Sequence, residues 1–189
     1  MEITKEEKQL MLKIVRNSIA EIFEPAEELK IDKEKYPALK KKCGAFVTLT
    51  INKMLRGCVG YIVSDRPLIE LLPIVAKKSA QEDTRFTPLE KNELNEISIE
   101  ISILSEPFKM NSYDDIVVGK HGLILSERYN RGLLLPQVPK EHGMDKEGFL
   151  TALCQKAGLP PYEWKKKTLN IEMFTAAVFS EREEYEHNT

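Results

Sequence analysis

The chain has 189 residues, with 28 Lys and Arg against 30 Asp and Glu, a formal net charge of −2, and 42% hydrophobic and 31% charged residues. That length suits one domain, residues 1–189, with a buried core, and the charge balance leaves no electrostatic footprint for a nucleic acid or an anionic membrane as partner. No run approaches the ~18 apolar residues of a membrane span, MEITKEEKQL has no apolar signal-peptide core, and three cysteines without C-x-x-C spacing argue against a disulfide framework or zinc knuckle; a cytoplasmic protein with reduced thiols is expected.

Thr4 and Glu7 have the spacing of a capping box. Met11, Ile14, Val15, Ser18, Ile19 and Ile22 then recur at helical period before Pro25, so an N-terminal helix within residues 1–23 packs one face on the core. Residues 24–42 are charged, carry Pro25 and Pro37, and read as a connection with room for one short turn. Phe46–Ile51, a turn at Asn52-Lys53 and Met54–Ile62 form an antiparallel hairpin. A second helix follows, with Ser64 and Asp65 as capping candidates, Pro67 in its first turn, and Pro73 expected to kink it or mark a second start. DTRFTPLEKNELNE is a loop with a short turn.

ISIEISIL, 97–104, is the cleanest strand: its isoleucines face one way and Ser98, Glu100 and Ser102 the other. A turn at GKHG leads into a second hairpin, LILSERYNRGLLLP. Asp145 caps a helix that ends at Gly158 and Pro160-Pro161. TLNIEMFTAAVF is the last strand, and a frayed polar tail is expected from Ser180, over 181–189. Hairpin-connected strands with intervening helices predict an α+β fold, a mainly antiparallel sheet with flanking helices.

MLRGCVGYI, 54–62, places two glycines around a cysteine inside a strand. Strict alternation puts Met54, Arg56, Cys58, Gly60 and Ile62 on one face. Arg56 would then stand about 7 Å from Cys58 and lower its thiol pKa, while Gly60 leaves open space beside the sulfur. Gly57, on the other face, permits a close backbone approach or a bulge. A buried free cysteine is equally at home as a small hydrophobe, so these residues alone leave packing and function evenly matched. Cys43 and Cys154 read as core or surface filler.

LRGCVG closely resembles the LRGCIG signature of the AMMECR family, whose prokaryotic members are called AmmeMemoRadiSam system protein A. FVTL before it, DTRF-P at 83–88, ISIEISILSEP, GKHGL, RGLLLPQV, FLTALCQKAGL and Trp164 follow in the family's order, covering roughly residues 40–180. Val59 stands for the usual isoleucine, Thr84 for a common proline and Met144 for a frequent tryptophan. The resemblance implies a larger and a smaller lobe with a cleft between them, lined by the signature, and a pathway shared with Memo-like or radical SAM proteins. It carries over Arg56, Gly57, Cys58 and Gly60, then Asp83, Arg85 and Phe86, and Glu100.

Two functions are therefore expected to compete. In an enzyme acting on a small anionic or amide-bearing substrate, Cys58 is the nucleophile, Arg56 its electrostatic activator, Arg85 an anion clamp, and Glu100 a general acid/base. In a non-enzymatic module the same residues bind a small molecule or peptide alongside a Memo-like or radical SAM partner. Asp83 and Arg85 read somewhat better as a pair that stitches a turn, and Glu100 reads equally as a partner for Arg56 or Arg85. His121 lies in the GKHG turn, within reach of a cleft, although turn exposure explains it better than ligand binding does; His142 lies in the divergent loop and His187 in the tail, so no Cys-His dyad is evident. No metal site, phosphate loop or dinucleotide fingerprint is present, and no cofactor is expected.

Overall fold

The computed structural model describes residues 3–25, 29–32 and 34–181. They form two compact units, one running to Leu104 and resuming at Ala177, the other Ser105–Ala176. The expected tail over 182–189 lies outside the described residues.

In the first unit, helix α1 (Lys5–Ala20) opens with the capping box the sequence announces: Thr4 accepts from the Glu7 backbone and Glu7 from that of Thr4. A 3₁₀ turn, Pro37–Lys40, interrupts the connection. Strands β1 (Ala45–Ile51) and β2 (Met54–Tyr61) form the first hairpin. Asn52 and Lys53 both take positive φ, 52° and 67°, as a two-residue turn that keeps the strand twist demands. Helix α2 (Leu68–Gln81) follows. Neither Ser64 nor Asp65 caps it, since Pro67 holds the cap position without a side-chain bond, and Ser64 accepts instead from the Arg66 backbone. Pro73 is carried inside one continuous helix.

Strand β3 (Ser98–Leu104) pairs antiparallel with β1, which leaves β2 outermost. Val47, Leu49, Ile99, Ile101 and Ile103 bury completely beneath the two helices. Such alternation is why this sheet has one core face and one polar face.

The second unit contains β4 (Phe108–Lys109), a strand too short for a sequence signal, and the hairpin β5 (His121–Glu127) with β6 (Asn130–Leu134). After α3 (Val138–Glu141), α4 (Lys146–Lys156) is capped by Asp145, which accepts from Gly148. Then come α5 (Glu163–Lys166) and β7 (Ile171–Ser180). Its core gathers Leu123, Leu125, Phe149, Leu153 and Cys154. The chain returns to the first unit within β7, which continues as strand to Ser180, the residue from which the sequence predicts fraying. Glu181 follows in order, paired with Arg16 and accepting the Ile99 backbone N–H.

Candidate functional site

The hairpin register departs from strict alternation at the signature. Met54 and Leu55 pair with Ile51 and Thr50, but the next pair is Gly57 with Leu49, so Arg56 is the extra residue of a β-bulge. The expectation that Arg56 activates Cys58 fails here. Its Nε and Nη2 hold Glu93 at 2.7 and 2.8 Å, and Nη1 and Nη2 donate to the carbonyls of Thr87 and Pro88. Both side chains of this pair are four-fifths or more buried (15% and 20% exposed), and the pairing pulls the Glu93 carboxyl below its ordinary range. Arg56 fastens the loop after α2 to the outer strand. Arg56→Lys keeps the charge but loses the fork and the carbonyl bonds, and should cost about 1–2 kcal/mol in urea unfolding.

Beyond the bulge, Cys58 stands opposite Thr48 on β1, and Thr48 opposite Glu100 on β3, a row across three strands. The Thr48 hydroxyl donates to Cys58 Sγ at 3.3 Å. The cation beside the sulfur is Arg85. Burial pushes the Cys58 thiol up; the Thr48 hydroxyl and Arg85 oppose this, while the Asp83 and Glu100 charges add to it, and the net shift is upward. The shift therefore runs opposite to the lowering that a guanidinium on the same strand face would bring.

Gly60 is not open space either. A Cβ there would lie 2.4 Å from the Phe46 ring and 2.3 Å from the Ala45 carbonyl, because Phe46 is its cross-strand partner and covers it. Gly57 does what close approach requires: a Cβ would sit 2.2 Å from the Ser79 carbonyl of α2. Ser79 was not singled out by sequence, yet its buried hydroxyl accepts from Val59 N–H at 2.9 Å and donates to Val47 O at 2.8 Å, bridging β1 and β2. A serine at one helical position carries no signal of that kind.

Asp83 and Arg85 complete the edge. Asp83 Oδ2 accepts the Cys58 N–H at 2.8 Å, and Arg85 Nη2 reaches the Cys58 carbonyl at 3.4 Å. Arg85 also donates through Nε and Nη2 to both oxygens of Asp83, at 2.9 and 2.7 Å. The carboxylate and the guanidinium stand where a neighbouring strand would, which protects an outer strand from pairing with another chain. Arg85 lies over the Phe86 ring, 5.4 Å from its centroid. Its bonds to Asp83 hold that carboxyl down at about 2.

His121 belongs to the second unit. It is 8% exposed rather than in an open turn, begins β5, accepts the Val117 N–H on Nδ1 at 3.2 Å, and meets Phe108 edge-to-face at 5.8 Å. Its Nδ1 is therefore occupied within the second unit. His142 is exposed at the end of α3. Elsewhere in the first unit a cavity of about 630 Å³ is lined by Arg16, Glu24, Glu96 and Glu181. Its arginine is spent on Glu181 and on the carbonyls of Leu94 and Ile97. Among the described residues no group of three His, Cys, Asp or Glu could hold a metal ion, and no helix is long and apolar enough to cross a membrane.

The sequence model of the AMMECR1 family matches residues 12–179. Protein Mbar_A1807 of Methanosarcina barkeri is 39% identical, over 96% of this chain and 93% of its own length. Protein MK0488 of Methanopyrus kandleri is 37% identical, over 96% of this chain and 91% of its own. The crystal structure of uncharacterized protein PH0010 from Pyrococcus horikoshii superposes with a TM-score of 0.86 at 36% identity, over 95% of this chain and 93% of that one.

Proposed function

The chain belongs to the AMMECR1 family, and on that premise we propose that its signature strand is a binding module for a small anionic or amide-bearing molecule, in which Cys58 remains a neutral thiol. The observation that supports this reading is the balance of groups around the sulfur. Burial and two carboxylates, Asp83 and Glu100, oppose ionisation, against one hydroxyl and one arginine already bonded to Asp83. A nucleophilic cysteine needs thiolate and a base held in place by a third group. His121 Nδ1 is already bonded within the second unit, and Glu100 is itself a charge that disfavours thiolate. The partner class that goes with this reading is the Memo-like or radical SAM protein implied by the family resemblance.

The enzymatic reading, with Cys58 as nucleophile and Glu100 as acid/base, makes the opposite prediction for one measurement. Alkylation of the native protein by iodoacetamide across pH, followed peptide by peptide by mass spectrometry, reports each thiol separately. Cys58 should show an apparent pKa at or above the ordinary ~8.5, or no reaction until the protein unfolds. An apparent pKa below ~8.5 would overturn the binding reading and restore the nucleophile.

A further inference from the structure

We propose that Thr48 is the positioning residue of the candidate site: its hydroxyl holds the Cys58 sulfur as an acceptor towards β1 and so turns the S–H away from that strand. The assignment rests on the binding reading above, in which Cys58 is a neutral thiol, and adds the group that aims it.

Strand pairing brings the two side chains together. Cys58 sends its N–H outward to Asp83, and its carbonyl accepts from Arg85 on the same edge. The next residue, Val59, turns its N–H the other way, to the Ser79 hydroxyl that also bonds Val47 of β1. Thr48 and Cys58 are therefore the non-hydrogen-bonded kind of antiparallel pair, in which Cα atoms stand about 4.5 Å apart and side chains approach most closely. The bulge at Arg56 is a condition of this pairing. Without the extra residue, Gly57 would lie opposite Thr48 and the hydroxyl would meet no sulfur.

Chemistry then sets the direction of the bond. An S–H is a weak donor, so in a hydroxyl–thiol pair the hydroxyl gives the hydrogen and the sulfur accepts it. Among the described residues the Thr48 hydroxyl bonds to Cys58 Sγ alone, at 3.3 Å. Thr48 is β-branched, and its restricted χ1 keeps the hydroxyl from swinging freely. Both side chains belong to half-buried residues, where a lost hydrogen bond is not simply replaced by bulk water. Burial raises the Cys58 thiol, and the Thr48 hydroxyl is foremost among the groups that oppose this, so the bond that aims the sulfur also acts on its ionisation.

Valine has the same branched shape and suits a strand, so Thr48→Val removes the donor while keeping the outline. The readout is the infrared S–H stretching band of the reduced protein at pH 7, with the Cys58 contribution assigned by its loss in Cys58→Ser. A band from a sulfur that accepts a hydrogen bond should shift in Thr48→Val. It should return to the wild-type position in Thr48→Ser, which restores the hydroxyl without the methyl group. A purely structural role would not separate these two variants. Should Thr48→Val fail to fold, Thr48→Ala removes the same donor and is read in its place. An unchanged Cys58 band in Thr48→Val, or an equal shift in Thr48→Ser, overturns the proposal and leaves the binding reading standing. Absence of any Cys58 S–H band from the wild type means a thiolate at pH 7, and that sinks the binding reading itself.

Discussion

Gly57→Ala should destabilise the first unit by about 3 kcal/mol, a large effect for one methyl group. The added Cβ would lie 2.2 Å from the Ser79 carbonyl oxygen, with Ser79 C at 3.2 Å and Leu49 Cδ1 at 3.8 Å. A flexible side chain would swing aside, but this obstacle is helix backbone. Nor can α2 slide freely, because the Ser79 hydroxyl is tied to Val47 and Val59 on two strands. Relief therefore means either moving the helix off a fully buried core or breaking those bonds and leaving backbone groups of β1 and β2 short of a partner. Urea unfolding monitored by the hydrogen exchange of β2 amides measures the loss. A change below about 1 kcal/mol would show that the helix accommodates the methyl group and that the contact is not a constraint.

This contact also explains what could be read in advance at the signature. Local rules were sufficient for α1, whose capping box spans four residues, and for β3, whose isoleucines alternate without interruption. The Asn52-Lys53 turn also sets the hairpin register correctly at its tip. A strictly paired hairpin from that turn would place Leu49 opposite Arg56, Thr48 opposite Gly57 and Phe46 opposite Val59. The bulge moves everything beyond it by one residue, and only so does Thr48 face Cys58 and Phe46 cover Gly60.

The bulge was invisible because its cause is not local. Arg56 is drawn to Glu93 and to the carbonyls of Thr87 and Pro88, more than thirty residues away. Glu93 lies in a run with Glu90 and Glu96, any of which would have seemed an equal partner on sequence alone. Asp83 and Arg85 were legible as a pair but not in their placement against the Cys58 backbone, since nothing in their spacing says which strand edge they close. The candidate site was chosen through its residue types and the family resemblance; its electrostatics depend on tertiary partners.

Asp83→Asn should cost about 2 kcal/mol at neutral pH and should also change how stability depends on acid, which separates charge from shape. In the wild type, Arg85 and the Cys58 N–H hold the Asp83 carboxyl down at about 2. A carboxyl depressed on folding contributes stability that is fully present above its unfolded value of about 3.9 and lost as pH falls through the folded value. The half-exposed Arg85 screens part of this, which keeps the figure near 2 kcal/mol rather than above it. Glu7 and Glu93 are also held below their ordinary range, so the acid limb of the wild type alone would not isolate Asp83. The difference between wild type and Asp83→Asn does: it should be constant from pH 7 to about 5 and shrink towards pH 2. A difference independent of pH would mean that Asp83 acts only as a hydrogen-bond acceptor.

The same substitution tests the thiol. Removing the carboxylate takes away a charge that opposes Cys58 ionisation and frees Arg85 to favour it, so the apparent pKa from alkylation should fall. An unchanged thiol titration in a folded Asp83→Asn protein would mean that Arg85 and Cys58 are not electrostatically coupled. The Asp83–Arg85 pair would then be a clasp on the strand edge and nothing more.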